Sequence, residues 1–351
     1  MRKALAFLLI LALLLSGCTI SVSVVPPTDA GVPEGDDLQV HYIDVGQADC
    51  ALIRCGGRFM LIDGGNVDDG QLVVSYLMDQ GVETLDYVVC THAHEDHVGG
   101  LAAVLAVFPT ENILSPTTTY ASGCFDDFMH YADQQRLTVR IPQPGDSFDV
   151  GSARVTVLGP VKSYADPNNT SIILKLTFGE NSFLFTGDME IEAENDMLDY
   201  WAGREDFRVD VLKVGHHCSE TSTGYRFLYE TVPAYGVISV GKGNTYGHPH
   251  SEPLSRLTDA GVTVFRTDSL GTVVATSDGQ NITFTWENQS ANPINAEVEP
   301  PSGRIFVGNS KSRKFHTEDC GSLPGPDNRV YFDTYQSAID AGYTPCGSCL
   351  G

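Results

Sequence analysis

The sequence predicts an α+β domain in which two β-sheets are covered by helices, followed by a small second domain. Strand patterns predominate near both ends of residues 37–287, and helical patterns lie between them. This order favours two packed sheets over a simple parallel α/β wheel. A segment rich in Asn, Pro and Glu at 288–302 predicts a linker, so residues 303–351 are expected to form a unit of their own.

The individual elements follow from hydrophobic periodicity and from turn residues. Apolar and alternating runs predict strands at 38–45, 49–54, 58–62, 85–91, 154–158, 171–178, 182–185, 209–214, 235–240, 262–266, 272–276 and 281–286. Helical spacing predicts helices at 71–80, 99–108, 125–136 and 190–201. Gly179-Glu180-Asn181 predicts the tip of a hairpin between two of these strands. The strand at 85–91 runs directly into the histidine-rich stretch THAHEDHVGG.

The N-terminal residues predict export. Two basic residues precede an apolar run of about a dozen residues, which is shorter than the roughly 20 residues of a membrane-spanning helix. The stretch LSGC, which ends at Cys18, resembles the cleavage box of bacterial lipoproteins. We therefore predict a signal peptide at 1–17, lipidation of Cys18 and a flexible tether at 18–36. An ordinary secretory signal is the alternative. The protein would be lipid-anchored to the outer face of the cytoplasmic membrane, with no other membrane contact, or secreted.

The charge distribution argues against non-specific binding of nucleic acid. The chain of 351 residues has a net charge of −24, and residues 37–290 contain 14 Lys and Arg against 35 Asp and Glu. An acidic body repels polyanions at long range, whereas a non-specific nucleic-acid binder presents a basic face. A nuclease remains compatible with this charge, because bound metals would supply the local positive charge.

The stretch THAHEDHVGG concentrates three of the ten histidines of the chain. His92, His94, Asp96 and His97 form the pattern H-x-H-x-D-H. Imidazole and carboxylate groups are ligands for zinc and similar metals, and two histidines one residue apart can bind the same ion. Asp96 and His97 can then face a second ion. A set of ordinary surface histidines is the alternative, but chance rarely places four such ligands together.

Residues 37–286 resemble the metallo-β-lactamase fold family, which implies a four-layer αββα sandwich. Within the family, the closest resemblance is to the metallo-hydrolase domain of the competence DNA-uptake channel type, through the phrases DVGQADCALI, LIDGG, NNTSIIL, LFTGD, LKVGHH and YGHPH. The resemblance implies that Asp63 braces the histidine loop. It implies the metal ligands His92, His94, Asp96, His97, Asp188 and His216. The adjacent His217 is either a supporting residue or the ligand in place of His216.

The sequence departs from the wider family at one ligand position. Many members have a further histidine before the bridging aspartate, but none lies between His130 and His216. Asn168 and Asn169 occupy this neighbourhood as supporting residues, and an amide oxygen suits a harder ion such as Mn²⁺ better than zinc. We therefore expect one or two divalent metals, zinc or manganese, in the active site.

The predicted function is metal-dependent hydrolysis of a phosphodiester, with nucleic acid as the expected substrate. A metal with an open position lowers the pKa of bound water to about 7 and supplies hydroxide. Asp96 or Asp188 would hold the attacking water or accept its proton. His248 in YGHPH would stabilise the developing negative charge. A teichoic-acid phosphodiester or a lactone is the alternative substrate, and a non-catalytic tethered binding protein is a further alternative. The sequence indicates no obligate protein partner.

The C-terminal segment predicts a structural zinc site. His316 and Cys320 form H-x-x-x-C, and Cys346 and Cys349 form C-x-x-C, which together supply four ligands. A redox pair or disulfide is the alternative. The segment 305–349 resembles the metal-binding domain of the Ada DNA-repair protein. That domain uses four cysteines, the first of which accepts a methyl group. Because His316 occupies this position, the resemblance implies structural zinc without methyl transfer.

Overall fold

The computed structural model describes residues 37–294, 305–318, 320–332 and 335–350. The predicted signal peptide, Cys18 and the tether lie outside them. Within the described residues the strands, numbered in chain order from β1 to β19, are Leu38–Tyr42, Ala51–Cys55, Arg58–Ile62, Leu85–Val89, Thr110–Leu114, Val139–Arg140, Ser147–Val150, Ala153–Gly159, Ile173–Phe178, Asn181–Phe185, Val211–Lys213, Tyr235–Ile238, Thr263–Arg266, Val273–Ser277, Ile282–Trp286, Phe306–Asn309, Lys314–Thr317, Arg329–Phe332 and Thr344–Pro345.

The helices lie between the strands. Numbered from α1 to α9, they are Gly70–Asp79, Glu95–Val98, Leu101–Val107, Gly123–Gln134, Ile191–Trp201, Tyr225–Thr231, Ser251–Asp259, Thr267–Leu270 and Tyr335–Asp340. Short 3₁₀ turns occur at Val67–Asp69, Asn168–Thr170, Gly215–Cys218 and Pro326–Asn328. No helix in the described part of the chain is long and apolar enough to cross a membrane.

The strands form two large mixed sheets and one small sheet. The first has the order β15-β14-β1-β2-β3-β4-β5-β6, the second β13-β12-β11-β10-β9-β8-β7, and the third β18-β16-β17-β19. In the first sheet the run from β3 to β6 is parallel, and in the second the run from β10 to β13 is parallel. The other neighbours in these two sheets are antiparallel.

Three hydrophobic clusters make the two large sheets into four layers. Alternate residues on β1 and β10, such as Val40 and Phe183, meet in a cluster between the sheets. The opposite face of the first sheet packs against α1, α3 and α4, and the opposite face of the second packs against α5, α6 and α7. Because successive strand residues point to opposite faces, both faces of each sheet bury apolar side chains. The αββα sandwich implied by the family resemblance is therefore confirmed.

Several elements differ from the sequence prediction. The hairpin between β9 and β10 forms as expected, with Asn181 opposite Phe178. The helix predicted at 99–108 is observed as the shorter α3. A separate helical turn, α2, precedes it from Glu95. Strand β5 and helices α6 and α7 were not predicted. Their sequences, TENIL, YRFLYET and SEPLSRLTD, carry too many polar residues for a clear period, and they fold through tertiary packing.

The C-terminal module contacts the sandwich through an aromatic pair. Tyr335 of α9 stacks on Tyr225 of α6, with ring centroids 4.8 Å apart and planes 11° apart. The Tyr335 hydroxyl also donates a hydrogen bond of 3.0 Å to the carbonyl of Tyr225. Phe306 and Phe315 complete the buried cluster around this pair. The module thus packs on the helix that follows the loop carrying His216 and His217.

Candidate active site and structural metal centre

The site residues follow the carboxyl ends of parallel strands. Asp63 comes after β3, His92 after β4, Asp188 after β10, His217 after β11 and His248 after β12. Strands β3 and β4 belong to the first sheet and β10 to β12 to the second, and the carboxyl ends of their parallel strands, where ligands bind in α/β folds, meet at one edge of the sandwich. A cavity of about 380 Å³ lies at this edge. The residues lining it include Asp96, Asn168, Asp188, His216, His217 and His248.

Four side chains converge beside this cavity as a metal-ligand group. Donor atoms of Asp96, His97, Asp188 and His217 all lie within 4.8 Å of one another. Nε2 of His97 is 3.2 Å from Oδ1 of Asp188, and Nε2 of His217 is 3.3 Å from Oδ2 of Asp96. His97, Asp188 and His217 are buried, whereas the Asp96 side chain remains 28% exposed toward the cavity. The group therefore combines three buried side chains with one carboxylate that is accessible from the cavity.

Asp63 lies against the imidazole of His97. Its Oδ2 is 2.8 Å from Nδ1 of His97, and its two oxygens accept hydrogen bonds from the amide and hydroxyl of Thr91. A carboxylate on Nδ1 leaves the Nε2 lone pair for the donor group. Close packing holds the two loops together, since a Cβ at Gly100 would lie 2.0 Å from the carbonyl oxygen of Gly64.

The electrostatics of the group favour a cation. Burial would raise the pKa of Asp188, but His97 and His217 hold it well below its usual value. Burial would lower the pKa of His217, but Asp188 and Asp49 raise it to about 10. The carboxylates thus hold protons on imidazoles that a metal would use. Because a metal and a proton compete for the same nitrogen, metal binding here would release protons.

His92 and His94 lie next to the group of four without belonging to it. Nε2 of His92 is 3.1 Å from Nδ1 of His94 and 3.9 Å from Oδ2 of Asp188. Asn168 lines the cavity, and its Oδ1 has no hydrogen-bond partner among the described residues. Oδ1 of Asn169 instead accepts the amide of Glu190 at 3.0 Å. Of the two asparagines, only Asn168 faces the site, and Asn169 holds the start of α5.

The structure separates the two adjacent histidines. His217 joins the group of four, whereas His216 lies outside it, with its Nε2 3.7 Å from Oδ2 of Asp188 and its Nδ1 3.2 Å from the Thr221 hydroxyl. His216, His217 and Cys218 all have positive φ, at 48°, 50° and 66°. This left-handed run directs the neighbouring imidazoles differently. The Cys218 thiol is buried in the core beneath the second sheet and does not line the cavity.

A buried ion pair supports His217 from behind. Nδ1 of His217 is 3.0 Å from the carbonyl of Ser239 and 3.3 Å from Oδ1 of Asp49. Oδ2 of Asp49 is 2.8 Å from Nζ of Lys213, and both side chains are less than a tenth exposed. Burial would raise the pKa of Asp49, but Lys213 and His217 hold it well below its usual value. Sequence analysis missed both residues. A charged residue inside an apolar strand was the available signal.

We expect the Lys213→Met substitution to destabilise the fold by about 3–5 kcal/mol, because it leaves the Asp49 carboxylate buried without its partner. Urea unfolding would measure the change. Arg208→Met is the matched control, since Arg208 pairs with Asp206 on the surface and its loss should cost about 0–1 kcal/mol. Equal unfolding midpoints for the two variants would show that the Lys213 pair does not support this region.

His248 lies at the cavity with a defined tautomer. The amide of Gly241 donates to Oε1 of Gln47 at 3.1 Å, so Nε2 of Gln47 is directed at Nδ1 of His248, 3.3 Å away. An amide nitrogen only donates, so Nδ1 of His248 accepts and its proton resides on Nε2. Burial, together with His217 and His216, lowers the pKa of His248 to about 4. The imidazole is therefore a neutral hydrogen-bond donor at pH 7. Gln47 is a further site residue that sequence analysis missed.

The C-terminal module contains a second ligand group. His316, Cys320, Cys346 and Cys349 bring donor atoms within 4.8 Å of one another, and Nδ1 of His316 is 3.3 Å from Sγ of Cys320. Cys320, Cys346 and Cys349 are free thiols in the structure, so no disulfide joins them. Two thiols of the group accept backbone hydrogen bonds, Cys320 from Ser322 and Cys346 from Ser348. Burial would raise the pKa of the Cys346 thiol, but hydrogen bonds from Ser348 and Cys349 hold it below its usual value, toward the thiolate that binds zinc.

Unpartnered atoms at the active site fit a divalent metal. Nε2 of His97, Oδ1 of Asp188 and Oδ1 of Asn168 are buried and make no well-directed hydrogen bond within the described residues, although the first two atoms form an ion pair at 3.2 Å. A buried polar atom without a hydrogen bond costs about 1–3 kcal/mol, so three such atoms at one place favour a bound cation. Two carboxylates, two imidazoles and an amide oxygen are suitable donors for zinc or manganese.

Comparison with known proteins agrees with this geometry. Residues 43–242 match the metallo-beta-lactamase superfamily, and residues 295–350 match the metal binding domain of Ada. ComE operon protein 3 of Bacillus subtilis (strain 168) is 28% identical over 254 residues, which are 67% of this chain and 32% of that protein. Competence protein ComA of Neisseria gonorrhoeae is 31% identical over 241 residues, which are 68% of this chain and 32% of that protein. The match thus spans about a third of each relative.

Solved structures similar to this chain include the metallo-beta-lactamase fold protein YhfI from Bacillus subtilis, with a TM-score of 0.47 and 15% identity. The similarity covers 69% of this chain and 100% of that chain. The superfamily match implies a divalent metal in the active site, and the Ada-like domain with its cysteine cluster implies structural zinc. The chain belongs to the metallo-beta-lactamase superfamily, as a metallo-hydrolase related to competence proteins that ends in an Ada-like metal-binding domain.

Proposed function

We propose that this protein is an exported, metal-dependent phosphodiesterase that cleaves nucleic acid. The observation that carries the proposal is the group formed by Asp96, His97, Asp188 and His217 beside the cavity. Groups of this kind hold the metals with which hydrolases activate water and neutralise phosphate. Similarity to a protein named for competence supports nucleic acid as the substrate.

One metal is assigned to Asp96, His97, Asp188 and His217. His217 takes the place that the family resemblance gave to His216, because its Nε2 belongs to the converging group and its Nδ1 is engaged by Ser239. A carbonyl on one imidazole nitrogen and a metal on the other is the usual arrangement for a metal-binding histidine.

His92 and His94, together with Asp188, would hold a second metal. Asn168 supplies an amide oxygen where many family members have a histidine. This second position should bind zinc more weakly than the first and accept a harder ion such as manganese.

A divalent metal held by these residues supplies a Lewis acid and lowers the pKa of water from 15.7 to about 7. Asp96 is the partly exposed carboxylate of the group and therefore the one able to hold the attacking water and accept its proton. Asp188 is almost fully buried, so its role would be to hold the metals and not to accept the proton of the water. With its proton on Nε2, the neutral imidazole of His248 would donate a hydrogen bond to a phosphate oxygen or to the leaving group.

Hydrolysis of another extracellular ester is the second candidate, and one observation favours it. Among the described residues that line the cavity there is no lysine or arginine, whereas Glu95, Asp96 and Asp188 are all present. A long polyanion gains no attraction from such a lining. A short teichoic-acid phosphodiester or a lactone would depend less on surface charge, because fewer phosphates would approach the protein.

The test uses the full chain loaded with Mn²⁺ or Zn²⁺. It is incubated with single-stranded DNA, double-stranded DNA and bis-p-nitrophenyl phosphate, beside the double variant Asp96→Ala/His97→Ala. Metal-dependent DNA cleavage that the double variant lacks is the expected result. Cleavage of the small diester alone would overturn the nuclease proposal in favour of the second candidate. Inactivity on all three substrates would overturn phosphodiester hydrolysis and leave lactone hydrolysis or tethered binding.

The proposed location is the outer face of the cytoplasmic membrane, through a lipid on Cys18, or the external medium after secretion. The support is the sequence of residues 1–18 alone, which lies outside the described residues. Labelling with a fatty-acid analogue in a bacterial host would test it. A Cys18→Ala variant that keeps the label would contradict the lipid anchor.

A further inference from the structure

Tyr246 is an aromatic side chain held in solvent at the cavity. It is 66% exposed and belongs to the cavity lining. Its ring stacks on His248, with centroids 5.7 Å apart and planes 22° apart. His248 in turn stacks on His217, at 6.2 Å and 24°. Three nearly parallel rings therefore lead from the metal-ligand group to the solvent, and the exposed ring is the outermost.

The loop that carries Tyr246 is firmly held. Oδ1 of Asn244 accepts the amides of Tyr246 and His248, each at 3.1 Å. Nδ2 of Asn244 donates to the carbonyls of Gly241 and His248. Nε2 of His250 is 3.2 Å from the carbonyl of Tyr246. The exposed position of the ring is thus set by the backbone, so the ring is available as a fixed surface.

A fixed, exposed aromatic ring beside a phosphodiester site suits one class of group, a flat aromatic base. Every nucleobase has a π face, so stacking on tyrosine is independent of sequence and of charge. Independence of charge matters here, because the cavity lining has no lysine or arginine among the described residues and includes Glu95. Stacking can therefore supply binding energy where the surface offers no cation to the phosphates.

We propose that Tyr246 stacks on the nucleobase next to the scissile phosphodiester and thereby selects nucleotide substrates over other phosphodiesters. This inference rests on the proposed phosphodiesterase function. It makes Tyr246 a specificity-determining residue, and places it on the same loop as His248, which faces the phosphate. The spacing of one residue between them lets one rigid loop address the base and the phosphate together.

The test compares two oligonucleotides of eight units with the same phosphodiester backbone, an oligothymidylate and an abasic oligomer. The measured quantity is the ratio of kcat/KM for the first to kcat/KM for the second, in the metal-loaded full chain. One stacked base is worth roughly 5- to 150-fold, which is the expected ratio for the unchanged protein. Tyr246→Ala should bring this ratio close to one, and Tyr246→Phe should retain it.

Tyr331→Ala is the matched control, because Tyr331 is a 59% exposed tyrosine on β18 of the C-terminal module. It should retain the ratio. A ratio near one in the unchanged protein, or an undiminished ratio in Tyr246→Ala, would overturn the proposal. If no oligomer is cleaved, the proposed function fails separately, and the same two oligomers are compared by fluorescence anisotropy. Base-dependent binding lost only in Tyr246→Ala would uphold stacking, and equal affinities would overturn it.

Discussion

The Asp188→Ala substitution is expected to abolish hydrolysis and to deplete the metal bound at the active site. One oxygen of this carboxylate is 3.2 Å from His97, and the other is 3.7 Å from His217 and 3.9 Å from His92. The side chain therefore lies between the two proposed metal positions, and its loss removes a ligand from both. Loss of a supporting residue costs about 10–100-fold in metal affinity or activity, so loss of a shared ligand should exceed that.

A second consequence concerns the pKa of His97. Burial would lower this pKa, but Asp188, Asp63 and Asp96 raise it well above its usual value. Without Asp188 the largest of these raising effects disappears, so the imidazole should lose its proton at lower pH. NMR titration of the apo variant against the apo protein would show the shift. An unchanged titration would mean that the donor group is not assembled as the structure has it.

The measurements are metal content after dialysis and kcat/KM on the substrate found in the activity test. Asp149→Ala is the matched control, because this carboxylate is exposed and pairs with Arg154 on the surface. The control should keep both its metal and its activity. An Asp188→Ala protein that folds, retains both active-site metals beside the structural zinc and hydrolyses at the normal rate would rule out Asp188 as a shared ligand.

The cluster that begins at His92 was predictable because its members are neighbours in sequence. The spacing within H-x-H-x-D-H is local, so the motif can be recognised without knowing how the rest of the chain folds. Asp63 and Asp188 were predictable for a related reason. Each follows a strand whose apolar run is visible, in LIDGG and LFTGD, and the resemblance to the family gave these local phrases their meaning.

The choice between His216 and His217 was not predictable from spacing. Consecutive residues in a regular element point in different directions, but these two lie in a left-handed turn whose φ angles of 48° and 50° only the structure reveals. The support of His217 was hidden for a different reason. Asp49 lies in the loop before β2 of the first sheet and Lys213 ends β11 of the second, so they meet only when the sandwich closes. No local pattern records such a contact.

The orientation of His248 shows the same limit at the scale of one atom. The motif YGHPH indicated a functional histidine, but the proton on Nε2 depends on a chain of two hydrogen bonds through Gln47 to the amide of Gly241. These partners come from loops at opposite ends of the domain sequence. A catalytic role that depends on one proton therefore needs the fold as well as the motif.

The Cys346→Ser substitution should remove one zinc ion from the protein and unfold the C-terminal module. Structural zinc contributes about 10–16 kcal/mol of apparent binding free energy in small domains, which is folding free energy when no site exists in the unfolded chain. A module of this size has a small core of its own, so it depends on such a staple. Zinc content and limited proteolysis of the module would measure the two effects.

Cys124→Ser is the matched control, because Cys124 is a partly exposed free thiol outside both ligand groups. It should retain the zinc and the protease resistance. A Cys346→Ser protein with unchanged zinc content would refute the assignment of the four-ligand group. The variant also separates the two metal centres, since the active-site ligands all lie within the sandwich. Its active-site metal should remain, while the stacking of Tyr335 on Tyr225 is lost as the module unfolds.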